Sequence, residues 1–161
     1  MSDFYIHRDG FIYHGDFTEG AREATNEEIS AHLGTSIAAR KQDVRSAINS
    51  ERDRREQGGF EYLGKVFDSD PTSVIRINAA VNTAVSAVLS GSDFSVDWTC
   101  ADNSTVALNA QQFMGLATAL AEHSNTQHIR ARGMKDQLDA AETEEDLAAV
   151  ENLLNEWKNE A

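Results

Sequence analysis

The sequence predicts an α+β fold: an N-terminal β-hairpin and helical linker, then a small antiparallel sheet of two hairpins with helices packed on it, and a helical C-terminus. Three observations lead there. Short aromatic and β-branched runs meet at turn residues, at Arg8-Asp9-Gly10, at Gly64 and at Asp102-Asn103, which is hairpin chemistry. Longer segments carry apolar residues at three- and four-residue steps, which is helix periodicity. Residues 60–89 and 94–141 then repeat one order, hairpin followed by helix. Two such hairpins can pair into one sheet with their helices on one face.

In chain order, Phe4-Tyr5-Ile6-His7 and Phe11-Ile12-Tyr13-His14 form the first hairpin. A lone two-stranded hairpin is marginal in water. Its aromatics, Tyr5, Phe11 and Tyr13 among them, are therefore expected to dock, either on the chain's own domain or on a partner. Residues 15–20 read as loop. Thr25 and Glu28 make a capping box at the start of a short helix ending near Gly34. A second helix starts at Thr35 or Ser36, with Ile37, Val44 and Ile48 on one stripe. Its later part, Asn49 to Gln57, is polar all round and contains Arg52, Arg54 and Arg55. Such a helix bridges solvent or packs on another chain, and Gly58-Gly59 stops it.

Phe60–Asp68 is the second hairpin. Asp70-Pro71 opens a helix with proline in its first turn. Val74, Ile77, Val81, Ala84 and Val88, with Ile75, Val85 and Leu89 alongside, give that helix a wide apolar face and mark it as a core element. Phe94–Leu108 is the third hairpin, with Trp98 expected in the core. Asn109 caps a long helix carrying Phe113, Leu116, Leu120 and Met134 to about Ala141. Thr143-Glu144-Glu145-Asp146 starts the last helix with acid at its positive end. Leu147, Val150, Leu154 and Trp157 form a stripe suited to a partner helix, and Trp157 is either core or an interface anchor. The organisation expected is 1–35 hairpin and short helix, 36–58 linking helix, 59–142 α+β domain and 143–161 acidic helix.

The 161 residues carry a net charge of −13. A chain of that charge repels phosphate backbones and anionic bilayers, so no nucleic-acid or membrane partner is expected. The charge is uneven: residues 37–57 are net +2 and residues 135–161 are net −7, so pairing between these regions is possible. The single cysteine, Cys100, excludes an internal disulfide. No apolar run reaches 18 residues and no secretory leader is recognisable, so the chain is expected in the cytoplasm.

Reactive chemistry is not signalled. The ten glycines form no phosphate-binding loop and no nucleophile elbow. Carboxylate pairs fall at helix starts, where they complement the helix dipole. His7 and His14 could approach across the first hairpin, with Asp3 or Asp16 as a third ligand, but that set is too small for a metal to be expected. His123 and His128 are five apart, off the spacing that places two histidines on one helix face. No catalytic residue, cofactor or metal is assigned. The candidate site residues are all interface residues: Tyr5, Phe11, Tyr13, Arg52, Arg54, Arg55, Leu147, Val150, Leu154 and Trp157.

Two stretches resemble known proteins. Ile12 to Ile29, with Gly15-Asp16, Arg22-Glu23-Ala24-Thr25 and Glu27-Glu28-Ile29, resembles the small tail-fibre-assembly proteins of tailed bacteriophages. Val44 to about Ala141 is similar to an uncharacterised domain found in phage tail and tail-fibre gene modules. There the matching residues are Ile48, Glu51-Arg52-Asp53-Arg54-Arg55, Gly59-Phe60, Tyr62, Phe67-Asp68-Ser69-Asp70, Trp98 and Ala101-Asp102-Asn103. The resemblance implies a non-enzymatic protein acting with a phage tail fibre, itself trimeric. It would be an assembly chaperone in the host cytoplasm or a virion subunit on the fibre. A homo-oligomeric structural adaptor of the tail or baseplate is the alternative, with self-association through the last helix.

Overall fold

The structure is a computed structural model and describes residues 4–160. The order is β1 (Phe4–Ile6), β2 (Ile12–His14), β3 (Arg22–Glu23), α1 (Asn26–Glu56), β4 (Phe60–Tyr62), β5 (Lys65–Phe67), α2 (Pro71–Ser90), β6 (Ser95–Thr99), β7 (Thr105–Asn109), α3 (Ala110–Ala140) and α4 (Glu144–Asn159). The fold is α+β, as expected. The described chain falls into two compact units, one of residues up to 46 together with residues from 137 onward, the other of residues 47–136. The helices α1 and α3 contribute residues to both.

In the first unit the expected hairpin is present, with Phe4 opposite His14, Tyr5 opposite Tyr13 and Ile6 opposite Ile12. Gly10, at φ +86°, makes the turn, and Asp9 accepts the Phe11 amide at 3.0 Å. A third strand joins it: Arg22–Glu23 pairs with β1 on the side away from β2. Two residues are too few to show a strand period, which is why the segment did not announce itself.

The start of α1 is the predicted capping box. The Glu28 amide donates to Thr25 Oγ1 at 3.2 Å, and Glu28 Oε2 accepts the Thr25 amide at 2.9 Å. Neither the break expected at Gly34 nor the second helix start expected at Thr35 or Ser36 exists, for α1 is one helix of 31 residues. A helical glycine costs only about 1 kcal/mol. Burial of Val44 and Ile48 on one stripe outweighs that. At the other end of this unit, Thr143 and Asp146 form a capping box at the start of α4.

The second unit is built on the α3 stripe of Phe113, Leu116 and Leu120. Phe60, Phe67, Ile77, Ala84, Cys100 and Leu108 join it in one buried cluster. Leu63 and Gly64, both at positive φ, turn β4 into β5. Asp70 caps α2 by accepting the Thr72 and Ser73 amides, and Gly91, left-handed at φ +66°, closes it. Asn109 and Gln112 exchange hydrogen bonds at 2.9 and 3.0 Å to open α3. The two hairpins do not merge into one sheet, contrary to expectation. They are separate two-stranded ribbons, joined by a bond from the Ala101 amide to the Val66 carbonyl at 2.9 Å. Each ribbon finds its apolar partner on a helix instead, so no edge-to-edge pairing is needed to bury it. Trp98 is half-buried, edge-on to Phe113 at 5.0 Å and covered by Arg76 at 5.0 Å.

Gly115 on α3 leaves room for the Tyr62 ring. A methyl group there would overlap the Tyr62 hydroxyl and lie 3.1 Å from its Cζ. Nothing lies within 4 Å of the corresponding point at Gly34. Gly34→Ala should therefore stabilise the protein by about 0.5–1 kcal/mol, whereas Gly115→Ala should destabilise it by about 1–3 kcal/mol. Chemical denaturation of both variants reads this, and a destabilised Gly34→Ala would mean that α1 ends at residue 34.

Candidate interaction surfaces

The Arg-rich end of α1 is the first candidate. Glu51 is 5% exposed. Arg54 donates to both of its oxygens, Nη2 to Oε1 at 2.6 Å and Nε to Oε2 at 2.8 Å, and Arg55 Nε donates to Oε1 at 2.8 Å. Arg54 above all, with Arg55 adding to it, holds the Glu51 carboxyl down at about 2, against the desolvation that pushes the other way. Arg52 is engaged by Asp53 at 2.6 Å and Asn49 at 3.3 Å. Arg52 and Arg55 are largely covered, and Arg54 is the more exposed of the three. The helix that reads as polar all round is thus internally paired. The forks expected to meet a partner meet acids of the same chain.

Beyond this run, Glu56 accepts from Ser124 and lies 3.3 Å from His128 Nε2. His123 Nε2 is 3.0 Å from the Arg55 carbonyl oxygen, its ring beside Phe60. In the first unit the expected pairing of basic and acidic regions is seen. Arg40 joins Glu144 and, at 2.9 Å, Glu151, while Arg45 joins Asp139.

The N-terminal sheet gathers Tyr5, Tyr13 and Phe17. Tyr5 lies 5.8 Å from Tyr13 and 5.6 Å from Phe17, centroid to centroid. Tyr13 bonds Thr18 through its hydroxyl, which fixes the loop carrying Phe17. Phe11 and Phe17 are 66% and 62% exposed. Phe17 is a residue that sequence reasoning misses, and the signal that finds it is an aromatic side chain in a polar loop. His7 and His14 do not meet: His14 stacks edge-on to Phe4, and His7 lies 3.4 Å from Asp9. Asp3, the other ligand considered, lies outside the described residues. Among the described residues, no group of three or more His, Cys, Asp or Glu could hold a metal.

The α4 stripe resolves the other way. Leu147, Val150, Leu154 and Trp157 are all buried, Trp157 completely. They are core residues of the chain itself, not an exposed face. A three-four period shows that a helix has a partner but not which chain supplies it.

The surface that sequence reasoning missed is on α2. Only Ser73, Ile77 and Ala84 of this helix are buried. Ile75 is 69% exposed, Val88 55%, Leu89 83% and Val85 38%. The apolar face is wider than the core needs, and the part that the core does not cover lies open. Beside Ile75 a groove of about 530 Å³ opens between α2 and α3. Pro71, Val74 and Asn78 line one side, Ala117, Leu120 and Ala121 the other, and Glu56, Ser69 and Ser124 its polar end. By length and composition alone α2 could cross a bilayer, yet its Ile77 and Ala84 lie wholly within the core cluster. Cys100 is buried in the same cluster.

The chain belongs to the family described as Domain of unknown function (DUF4376), which covers residues 38–151. No curated protein and no solved structure matches it.

The Glu51 clamp has a pH signature. Its carboxyl is depressed from 4.5 to about 2 by folding, so its stabilisation is present above about pH 4.5 and is lost as pH falls toward 2. Glu51→Gln should destabilise the protein by about 1–3 kcal/mol at neutral pH, with the deficit shrinking as pH drops through that window. Urea unfolding of both proteins as a function of pH reads this; a deficit constant with pH would show that the charge on Glu51 is not what matters.

Proposed function

We propose that this chain, a member of a family of unknown function, is a non-enzymatic binding subunit that acts with a bacteriophage tail fibre. It serves either as a fibre-assembly chaperone in the host cytoplasm or as a virion subunit attached to the fibre. The observation that carries the reading is the exposed apolar surface on α2. Isolated apolar residues on a surface mean little, but Val85, Val88 and Leu89 fall together in the last two turns of α2, and Ile75 stands beside the groove. The exposed aromatics Phe11 and Phe17 at the N-terminal sheet add a second such surface. Meanwhile Arg54 and Arg55 are committed to Glu51, and Arg40 and Arg45 to acids near the C-terminus. The contact is therefore expected to be mainly apolar. The resemblance of residues 12–29 to fibre-assembly proteins, and of residues 44–141 to a domain of tail-fibre gene modules, supplies the identity of the partner.

The alternative, a homo-oligomeric adaptor of the tail or baseplate, is favoured by one feature, the long uncharged face of α2. The α4 stripe does not support it, being buried.

Co-expression with the neighbouring fibre gene tests the main reading. The fibre should trimerise and stay soluble only with this protein, or purified particles should contain it in fixed ratio by mass spectrometry. A fibre that assembles equally well alone, together with particles that lack the protein, would refute it.

A further inference from the structure

We propose that the exposed face of α2 is a self-association surface, on which α2 of a second copy lies antiparallel about a twofold axis at Asn82. The inference deepens the homo-oligomeric reading above and rests on it: an α2 face paired with a second copy is not open to a fibre, and the exposed Phe11 and Phe17 would then be the surface left for that partner.

The face is laid out for a copy of itself. Ile75, Asn78, Asn82, Val85 and Leu89 follow one another by three or four residues and share one side of the helix. Ile77 and Ala84, which face the core, lie off that line. Asn82 is the midpoint between Ile75 and Leu89. Turned end over end about Asn82, the stripe places Leu89 of the second copy against Ile75 and Ile75 of the second copy against Leu89. Among the described residues Leu89 is the most exposed large apolar side chain, and the groove lined by Val74, Ile75, Ala117 and Leu120 opens at the other end of the same stripe. Antiparallel pairing therefore brings the projection of each copy to the recess of the other, which is the isologous arrangement a twofold requires. Asn82 meets its own equivalent on the axis. An amide is both donor and acceptor, so the pair can satisfy itself within an apolar seam.

Charge permits the same occupant. None of the stripe residues ionises, and Arg76, the one charged residue between 71 and 92, lies over Trp98. Copies of a chain carrying −13 repel one another. Over residues 71–92 the face sets no acid against acid; Asp70 and Asp93 flank it in the sequence, and Glu56 stands at the polar end of the groove. The extent is also adequate. A 20-residue helix is about 30 Å long and, with the neighbouring helix, about 20 Å wide. That footprint is on the order of 600 Å², and the corrugated surface over it approaches the roughly 800 Å² per partner of a standard interface.

Sedimentation equilibrium of the full chain should show a dimer. Leu89→Glu should raise the dissociation constant at least about tenfold, with unchanged far-UV circular dichroism. Raising salt from about 0.1 M to about 1 M should tighten the dimer by screening the net charge. Asn82→Cys should cross-link to dimer on oxidation faster than Thr83→Cys, which lies on another face of α2; Cys100 is buried and gives little background. A monomer at about 100 µM in either salt, a dimer indifferent to Leu89→Glu, or equal cross-linking at 82 and 83 would overturn the proposal. So would Leu89-dependent flotation of the monomer with neutral phosphatidylcholine vesicles, which would assign the face to lipid.

Discussion

Neither ribbon of the second unit can hold itself together, since two strands alone bury too little. Both depend on the apolar stripe at the start of α3. Phe113 receives Trp98 and Phe94 edge-on, and Phe60, Phe67 and Leu108 close around Leu116 and Leu120 in the same cluster. The capping pair Asn109 and Gln112 sets where that helix begins, and so which residues face the ribbons. Cap, stripe and ribbons form one chain of cause: the cap fixes the phase, the phase aims the stripe, and the stripe gives the strands something to bury against. Ser69 adds a polar tie, accepting the Gly59 amide and donating to the Glu56 carbonyl. It thereby satisfies a carbonyl at the end of α1 next to the start of α2.

Electrostatics plays a different part in each unit. In the first, Arg40 and Arg45 meet acids near the C-terminus on partly exposed surfaces, where each pair contributes little. In the second, Glu51 is buried and two arginines pair with it, so losing both would leave a charge out of water. The neutral face of α2 is what remains after the charge has been gathered elsewhere. A chain so acidic gains solubility from its charge, and it keeps one long surface free of it.

The sequence reveals helix starts most clearly, because the oxygens of Thr25, Asp70, Asn109 and Thr143 are local signals that need no tertiary context. Hairpins are legible for the same reason, through Asp9-Gly10, Gly64 and Asp102-Asn103. What needs the rest of the chain is hidden. Gly34 looks like a stop, and only the burial further along α1 shows that the helix can bear it. The α4 stripe and the α2 face have similar periods, yet one is buried and the other open. Period reports that a face is apolar, whereas exposure depends on how many neighbours arrive to cover it. The arginines of α1 mislead in the opposite sense: they look available because their acid, Glu51, sits among them as just another charged residue.

The absence of a methyl group at residue 115 has a mechanical meaning. The phenol of Tyr62 enters the space that a side chain would fill, so the β4–β5 ribbon engages α3 as a key engages a slot. Turning the helix by one residue would rotate the slot away by about 100° and present Met114 or Leu116 to the ring. A smooth greasy contact would tolerate such sliding, but a key does not. The ribbon is thereby held at a single height and angle on its rod.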